Sequence, residues 1–262
     1  TAFPFVFRRG RLDQTLPWAI AALSGPLHFY LVYQAVSLGF HNSYLGLLPA
    51  AFALPPLLGL IWLAGRLSPA QAQRNTLLAW FGGSTLFFVT LIFPIQFERQ
   101  WITIGWALEG AALLWFFHRV PHPGLRLTGM ALLIVAFVRL ALNPAVLRYH
   151  PRSETPILNW YLYAFGIATV CLMAGARLLA PPRNMVLGWS APPLLYSLGT
   201  ILAFLLLNIE IADYFAEGPN LTFQFSGNFA RDMTYSIAWG LFAIGLLSAG
   251  ILKGVRPARY AG

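Results

Sequence analysis

Long apolar runs separated by short polar breaks make up most of this chain. A helix of roughly 18 or more apolar residues is long enough to cross the hydrocarbon core of a bilayer. The runs lack the strict apolar–polar alternation of a membrane β-barrel strand, so helices are favoured. The pattern predicts eight membrane-spanning helices, at residues 17–38, 45–64, 76–95, 101–117, 125–142, 157–176, 193–213 and 233–252.

Most connections between these runs are short and carry Pro or Gly, which predicts antiparallel packing of neighbouring helices. The two longest connections are residues 143–156 and 214–232. We therefore predict an all-α polytopic membrane protein of stacked antiparallel hairpins, in which residues 1–262 form a single transmembrane helical domain.

Composition supports the membrane assignment, and this assignment decides how the net positive charge is interpreted. The chain is 58% hydrophobic and 10% charged, whereas soluble domains carry about 25% charged residues. A net charge of +9 would suggest nucleic acid in a soluble protein, but here the basic residues lie in loops that meet lipid headgroups. We predict membrane lipids as partners and no nucleic acid.

The basic residues are distributed unevenly between the two sides. The two chain ends and the loops at 65–75, 118–126 and 177–192 together carry twelve Lys and Arg, and the opposite side carries four. Cytoplasmic loops hold the excess of basic residues. We predict that both ends of this chain are cytoplasmic and that the connections at 143–156 and 214–232 face outward.

Two segments of the chain also resemble each other in sequence. When it is shifted by 133 positions, residues 104–129 lie over 237–262 with seven identities, which include a Trp and an Arg-x-x-Gly. We predict repeat hairpins near 101–144 and 233–262. The second copy stops where the returning helix of the first copy begins, so we expect the sequence to be a fragment of a longer chain.

The text WALEGAALLWFFHR, followed by LRLTGMALLIVAFVRLALNP, and its second copy IAWGLFAIGLLSAGILKGVRPARYAG resemble a large bacterial family of membrane proteins. That family is catalogued as domain of unknown function 2339, and the resemblance covers about residues 76–262. It implies a bacterial inner-membrane protein whose relatives have more spans, so that this chain would be a C-terminal part. The resemblance therefore implies a fold, but it implies no substrate, reaction or site residues. Asn143 departs from the acidic residue expected in such repeats.

Two ionisable residues at mid-depth in the predicted spans are candidates for function. Glu109 lies near the middle of the fourth span, and His28 lies at similar depth in the first span as its possible partner. Acids inside a membrane are expensive and often functional. The alternative is a protonated Glu109 that hydrogen-bonds a neighbouring helix and a His28 that is simply hydrogen-bonded.

A second group of charges lies toward the outward ends of the spans. Glu210 and Asp213 are three residues apart, which places them on one helix face, and Arg139 lies at comparable depth. Arg139 is predicted to bridge the two carboxylates. The group then forms either a structural ion pair or an outward-facing polar pocket for an anionic headgroup or for protons.

No motif for catalysis, metal or cofactor binding is present: the chain lacks HExxH, CxxC, GxSxG and a nucleotide-binding glycine motif. We predict no catalytic residues, no metal and no cofactor, and this absence disfavours an enzyme. Three functions stay open. They are binding or translocation of a lipid-linked or small amphipathic envelope molecule, a scaffold or subunit for other membrane proteins, and a transferase whose base is Glu154 or Asp232.

Overall fold

The computed structural model describes residues 2–7, 14–39, 45–68, 70–96, 101–148, 152, 155–216, 218, 221, 223–225 and 227–252. Nearly all of these residues are helical, which confirms the all-α prediction. The α-helices are α1 Phe3–Phe7, α2 Thr15–Gly39, α3 Leu47–Arg66, α4 Arg74–Gln96, α5 Trp101–Arg119, α6 Pro123–Leu142, α7 Trp160–Leu178, α8 Ala191–Tyr214 and α9 Phe229–Leu252. A 3-10 helix follows α6 at Pro144–Arg148, and Met185–Val186 pairs with Trp189–Ser190 as a two-stranded antiparallel hairpin before α8.

Each predicted span coincides with one of the helices α2 to α9. Seven of these helices are long and apolar enough to cross a membrane, and α5 is not among the seven. This helix packs against α4, α6 and α7. Neighbouring helices therefore cover much of its surface, and α5 has less need of an apolar residue at every position.

The closest packing joins helices that are consecutive in the chain, as the short connections predict. The tightest pairs are α3 with α4, α5 with α6, and α7 with α8, and α5 also packs along α7. Apolar side chains from α5 to α8 form the largest buried cluster, whereas Trp18, Leu63 and Phe81 belong to a second cluster between α2, α3 and α4. The four helices α5 to α8 thus form the core on which the polar site described below is built.

Two glycines set the distance between α5 and α6. A Cβ atom at Gly110 would lie 2.8 Å from the carbonyl oxygen of Gly129, and a Cβ at Gly129 would lie 2.9 Å from that of Gly110. Without side chains at these positions the two backbones touch, which is the usual way for membrane helices to pack closely. The first predicted repeat hairpin is therefore a tightly packed unit.

A proline inside α2 removes the amide donor of one backbone carbonyl group, and a side chain of another helix replaces that donor. Pro26 has no amide proton, so the carbonyl of Ala22 has no donor four residues later. Ser84 of α4 donates a hydrogen bond from its Oγ to that carbonyl at 2.8 Å. Hydrocarbon offers no water to such a group, and the hydroxyl of a neighbouring helix replaces the missing amide.

The second predicted repeat copy is only partly described. Residues 233–252 lie in α9, and residues 253–262 lie outside the described part. The internal repeat therefore stays a prediction. α9 packs against α8 and leaves most of its apolar surface exposed.

Candidate functional site: a polar cluster at the ends of α7 and α8

Asn159 connects the beginning of α7 to the end of α8. Its side-chain oxygen caps α7 by accepting a hydrogen bond from the amide of Leu162 at 3.0 Å. Its Nδ2 donates to Glu210 Oε2 at 2.9 Å and to Asp213 Oδ2 at 3.2 Å. One buried amide therefore caps one helix and binds both carboxylates of the other, and these contacts place Glu210 and Asp213 on one face of α8.

Arg152 forms an ion pair with Asp213. Its Nε lies 2.7 Å from Asp213 Oδ1, and its Nη2 donates to the Asp213 carbonyl oxygen at 2.6 Å. Its Nη1 donates to the carbonyl oxygen of Gly218. The side chain of Asp213 is 3% exposed and that of Arg152 is 20% exposed. The guanidinium thus clamps the chain as it leaves α8, and its Nε and both Nη atoms have an acceptor.

Glu210 is the least satisfied member of the group. Its Oε2 is held by Asn159, whereas its Oε1 is buried and has no hydrogen-bond partner among the residues that the structure describes. We call Arg152, Asn159, Glu210 and Asp213 the polar cluster. With both carboxyl groups ionised, it contains two negative charges and one positive charge.

The prediction that Arg139 bridges Glu210 and Asp213 needs correction, because the arginine that pairs with Asp213 is Arg152. The guanidinium carbon of Arg139 lies 5.5 Å from the centre of the Trp106 ring on α5. A cation over an indole face is attracted by the ring quadrupole. Arg139 therefore contributes to the packing of α6 against α5.

The two mid-depth candidates do not meet as partners. The half-buried Glu109 lies near Thr90 of α4, whose hydroxyl group donates to the carbonyl groups of Leu86 and Phe87 in its own helix. His28 lies on an exposed face of α2, and its Nδ1 is 2.7 Å from the carbonyl oxygen of Ser24 in the same helix. Neither contact joins Glu109 to His28, and a functional role for either residue stays a prediction.

The remaining acidic candidates add no second site. Asp232 pairs with Arg231 at 3.4 Å, and Arg231 also donates to Gln224 Oε1 at 3.0 Å. Glu154 lies outside the described residues. Within the described part of the chain, no three His, Cys, Asp or Glu side chains come close enough together to hold a metal ion.

Comparison with known proteins identifies the region that contains the polar cluster. Residues 123–262, which are more than half of the chain, match a family described as predicted membrane protein (DUF2339). The chain belongs to this family. No curated protein and no solved structure matches it.

The DUF2339 match begins at the first residue of α6 and includes α7, α8 and α9, so the whole polar cluster lies within it. The WALEGAALLWFFHR stretch, which carried part of the resemblance, lies before the matched residues. The description that comes with the family is that of a membrane protein. It assigns no substrate, and chemistry must be argued from the polar cluster itself.

Proposed function

We propose that this DUF2339 protein binds the ammonium headgroup of a small amphipathic envelope molecule at the polar cluster. The observation that carries the proposal is the buried Glu210 Oε1, which has no partner among the described residues. A carboxylate oxygen that is removed from water without a donor is unfavourable. A bound ammonium group would supply both the missing donor and the missing positive charge.

The charges of the cluster favour a cationic ligand over the anionic headgroup that an arginine site would suggest. Arg152 already donates to the carboxylate and the carbonyl of Asp213 and to the carbonyl of Gly218. Few of its N–H groups are left for a phosphate. The atom of the cluster that lacks a hydrogen-bond partner is Glu210 Oε1, which is an acceptor, so the complementary ligand is a donor.

The depth of Glu210 suits a headgroup. It lies four residues before Tyr214, the last residue of α8, which corresponds to about 6 Å along the helix axis. We propose that the carboxyl group lies just below the membrane interface. We propose that this end faces outward and that the protein lies in the bacterial inner membrane with both ends of this chain cytoplasmic, in keeping with the distribution of basic residues.

The test uses two lipids whose headgroups differ in whether the ammonium has an N–H hydrogen-bond donor. Phosphatidylethanolamine carries an ammonium with N–H donors, and phosphatidylcholine carries a quaternary ammonium without them. We would reconstitute the protein in nanodiscs with equal amounts of both lipids and measure by native mass spectrometry which lipid stays bound. The expected result is a several-fold preference for phosphatidylethanolamine.

The matched variants are Glu210→Gln and Asp232→Asn. The glutamine side chain of the first variant keeps an oxygen that can accept from Asn159, so the fold should survive while the charge is lost. The preference should disappear in Glu210→Gln and persist in Asp232→Asn, which changes an acid that already pairs with Arg231. An unchanged preference in Glu210→Gln would contradict the proposal.

A second candidate function is a scaffold for other membrane proteins. α9 buries only Arg231, Tyr235 and Gly250 among its 24 residues. Ile237, Leu241 and neighbouring apolar side chains are exposed. Membrane lipid or a partner helix could cover this face. The scaffold function predicts a stable co-purifying membrane protein and lipid binding that does not change in Glu210→Gln.

A further inference from the structure

A cavity lies between α2, α3 and α4, away from the polar cluster. Its volume is about 260 Å³. An apolar cavity of roughly 150 Å³ is large enough to bind benzene, so this space would hold an aromatic ring with substituents. The lining residues come from the middle of three helices: Ala22, Gly25, Ala51, Phe52, Pro55, Pro56 and Phe88.

The lining includes the two prolines that interrupt the hydrogen bonds of α3. Pro55 and Pro56 have no amide proton, so the carbonyl groups of Ala51 and Phe52 have no donor four residues later. All four residues line the cavity. In α2 the equivalent defect is closed by Ser84, but no side chain in the described residues donates to either carbonyl of α3.

The rest of the lining is apolar and aromatic. The rings of Phe52 and Phe88 have centroids 5.5 Å apart, and both contact Phe29 at 5.3 and 5.4 Å. Gly25 lets the Phe88 ring pack close to α2, because a Cβ there would lie 3.1 Å from that ring. An ordered water needs two to four polar partners, and none of the lining side chains is polar.

We propose that this cavity binds a membrane-soluble phenol, meaning an aromatic ring with a hydroxyl donor. The hydroxyl proton is donated to the carbonyl of Ala51 or Phe52, and the ring packs against Phe52 and Phe88. The ligand thereby replaces the amide donor that the two prolines remove from α3. This site is independent of the polar cluster, and its test does not depend on the lipid preference proposed above.

The probes are 4-fluorophenol and 4-fluoroanisole, which have similar size and differ in the hydroxyl proton. Fluorine NMR in the presence of the purified full chain in detergent would report binding as saturable line broadening. We expect broadening of 4-fluorophenol that is reversed by excess phenol, and clearly weaker broadening of 4-fluoroanisole. Equal behaviour of the two probes would overturn the proposal, since water or detergent would then satisfy the carbonyl groups.

Two variants locate the site. Ala51→Leu fills the cavity and should abolish the broadening. Pro55→Ala combined with Pro56→Ala restores both amide donors and should remove the preference for the phenol, while alanine favours the helix. Pro94→Ala is the matched control, because it restores an amide in α4 outside the cavity lining and should leave both probes unchanged. A preference that persists in the double proline variant would contradict the role of the carbonyl groups.

Discussion

Arg152→Gln removes the positive charge beside Asp213 while the carboxylate stays buried. In the intact protein, Asp213 accepts from Arg152 at 2.7 Å and from Asn159 at 3.2 Å. After the substitution only the longer bond to Asn159 remains, together with whatever water reaches the site. Asp213 is 3% exposed, so bulk water replaces little of the lost interaction.

The expected loss of stability follows from this burial. Removal of one partner from a buried ion pair costs about 3–5 kcal/mol, because an uncompensated charge is left inside. The guanidinium side of this pair is 20% exposed, which places the expected value near the lower end, at about 3 kcal/mol. Asp213→Asn removes the charge of the carboxylate. In the double variant Arg152→Gln with Asp213→Asn, the loss of unfolding free energy should be smaller than the sum of the two single losses by about 1 kcal/mol or more.

The assay is equilibrium unfolding in mixed micelles by titration with dodecyl sulfate, followed by circular dichroism. Asp232→Asn is the control, since the Arg231–Asp232 pair is longer, at 3.4 Å, and Asp232 is 34% exposed. Arg231 is buried but keeps its contact with Gln224 when Asp232 is replaced, so the loss should be about 1 kcal/mol or less. If Arg152→Gln costs no more than Asp232→Asn, the reasoning about the buried pair is refuted.

Three further predictions concern the packing of the helices and the beginning of α6. Gly110→Ala presses a methyl group onto the facing backbone and should cost about 1–3 kcal/mol, whereas Gly240→Ala, which has open space, should be neutral or stabilising in the same titration. Ser84→Ala leaves the Ala22 carbonyl without its hydroxyl donor and should cost about 1–3 kcal/mol. Burial lowers the pKa of His122, whose neutral ring caps α6. Its contribution is therefore complete above the ordinary histidine pKa of about 6.5 and is lost as the pH falls below it. His122→Asn should remove this loss of thermal stability between pH 7 and pH 5.

The apolar runs predicted the helices well, because a span must satisfy its backbone internally and therefore leaves a long unbroken pattern. The same reasoning placed Glu210 and Asp213 on one face, since residues three apart in a helix lie together. Both predictions depend on local geometry that is the same in every helix.

The partner of Asp213 could not be predicted in this way. Arg152 lies in the connection between α6 and α7, and irregular chain carries no periodicity that would indicate where a side chain points. Arg139 lies in a helix, so its depth was calculable, but depth alone does not say which neighbour it faces. Two signals were present: Arg152 is one of the four basic residues on the side that is predicted to face outward, and Asn159 is a typical helix cap.

The most direct test of the central proposal is an experimental density map of the protein in nanodiscs that contain phosphatidylethanolamine, focused on the polar cluster. The proposal predicts non-protein density within hydrogen-bond distance of Glu210 Oε1, and loss of that density in Glu210→Gln. A map without such density, in which Glu210 Oε1 stays covered by protein atoms as it is in this structure, would contradict it. The polar cluster would then act as a structural clamp between α7 and α8.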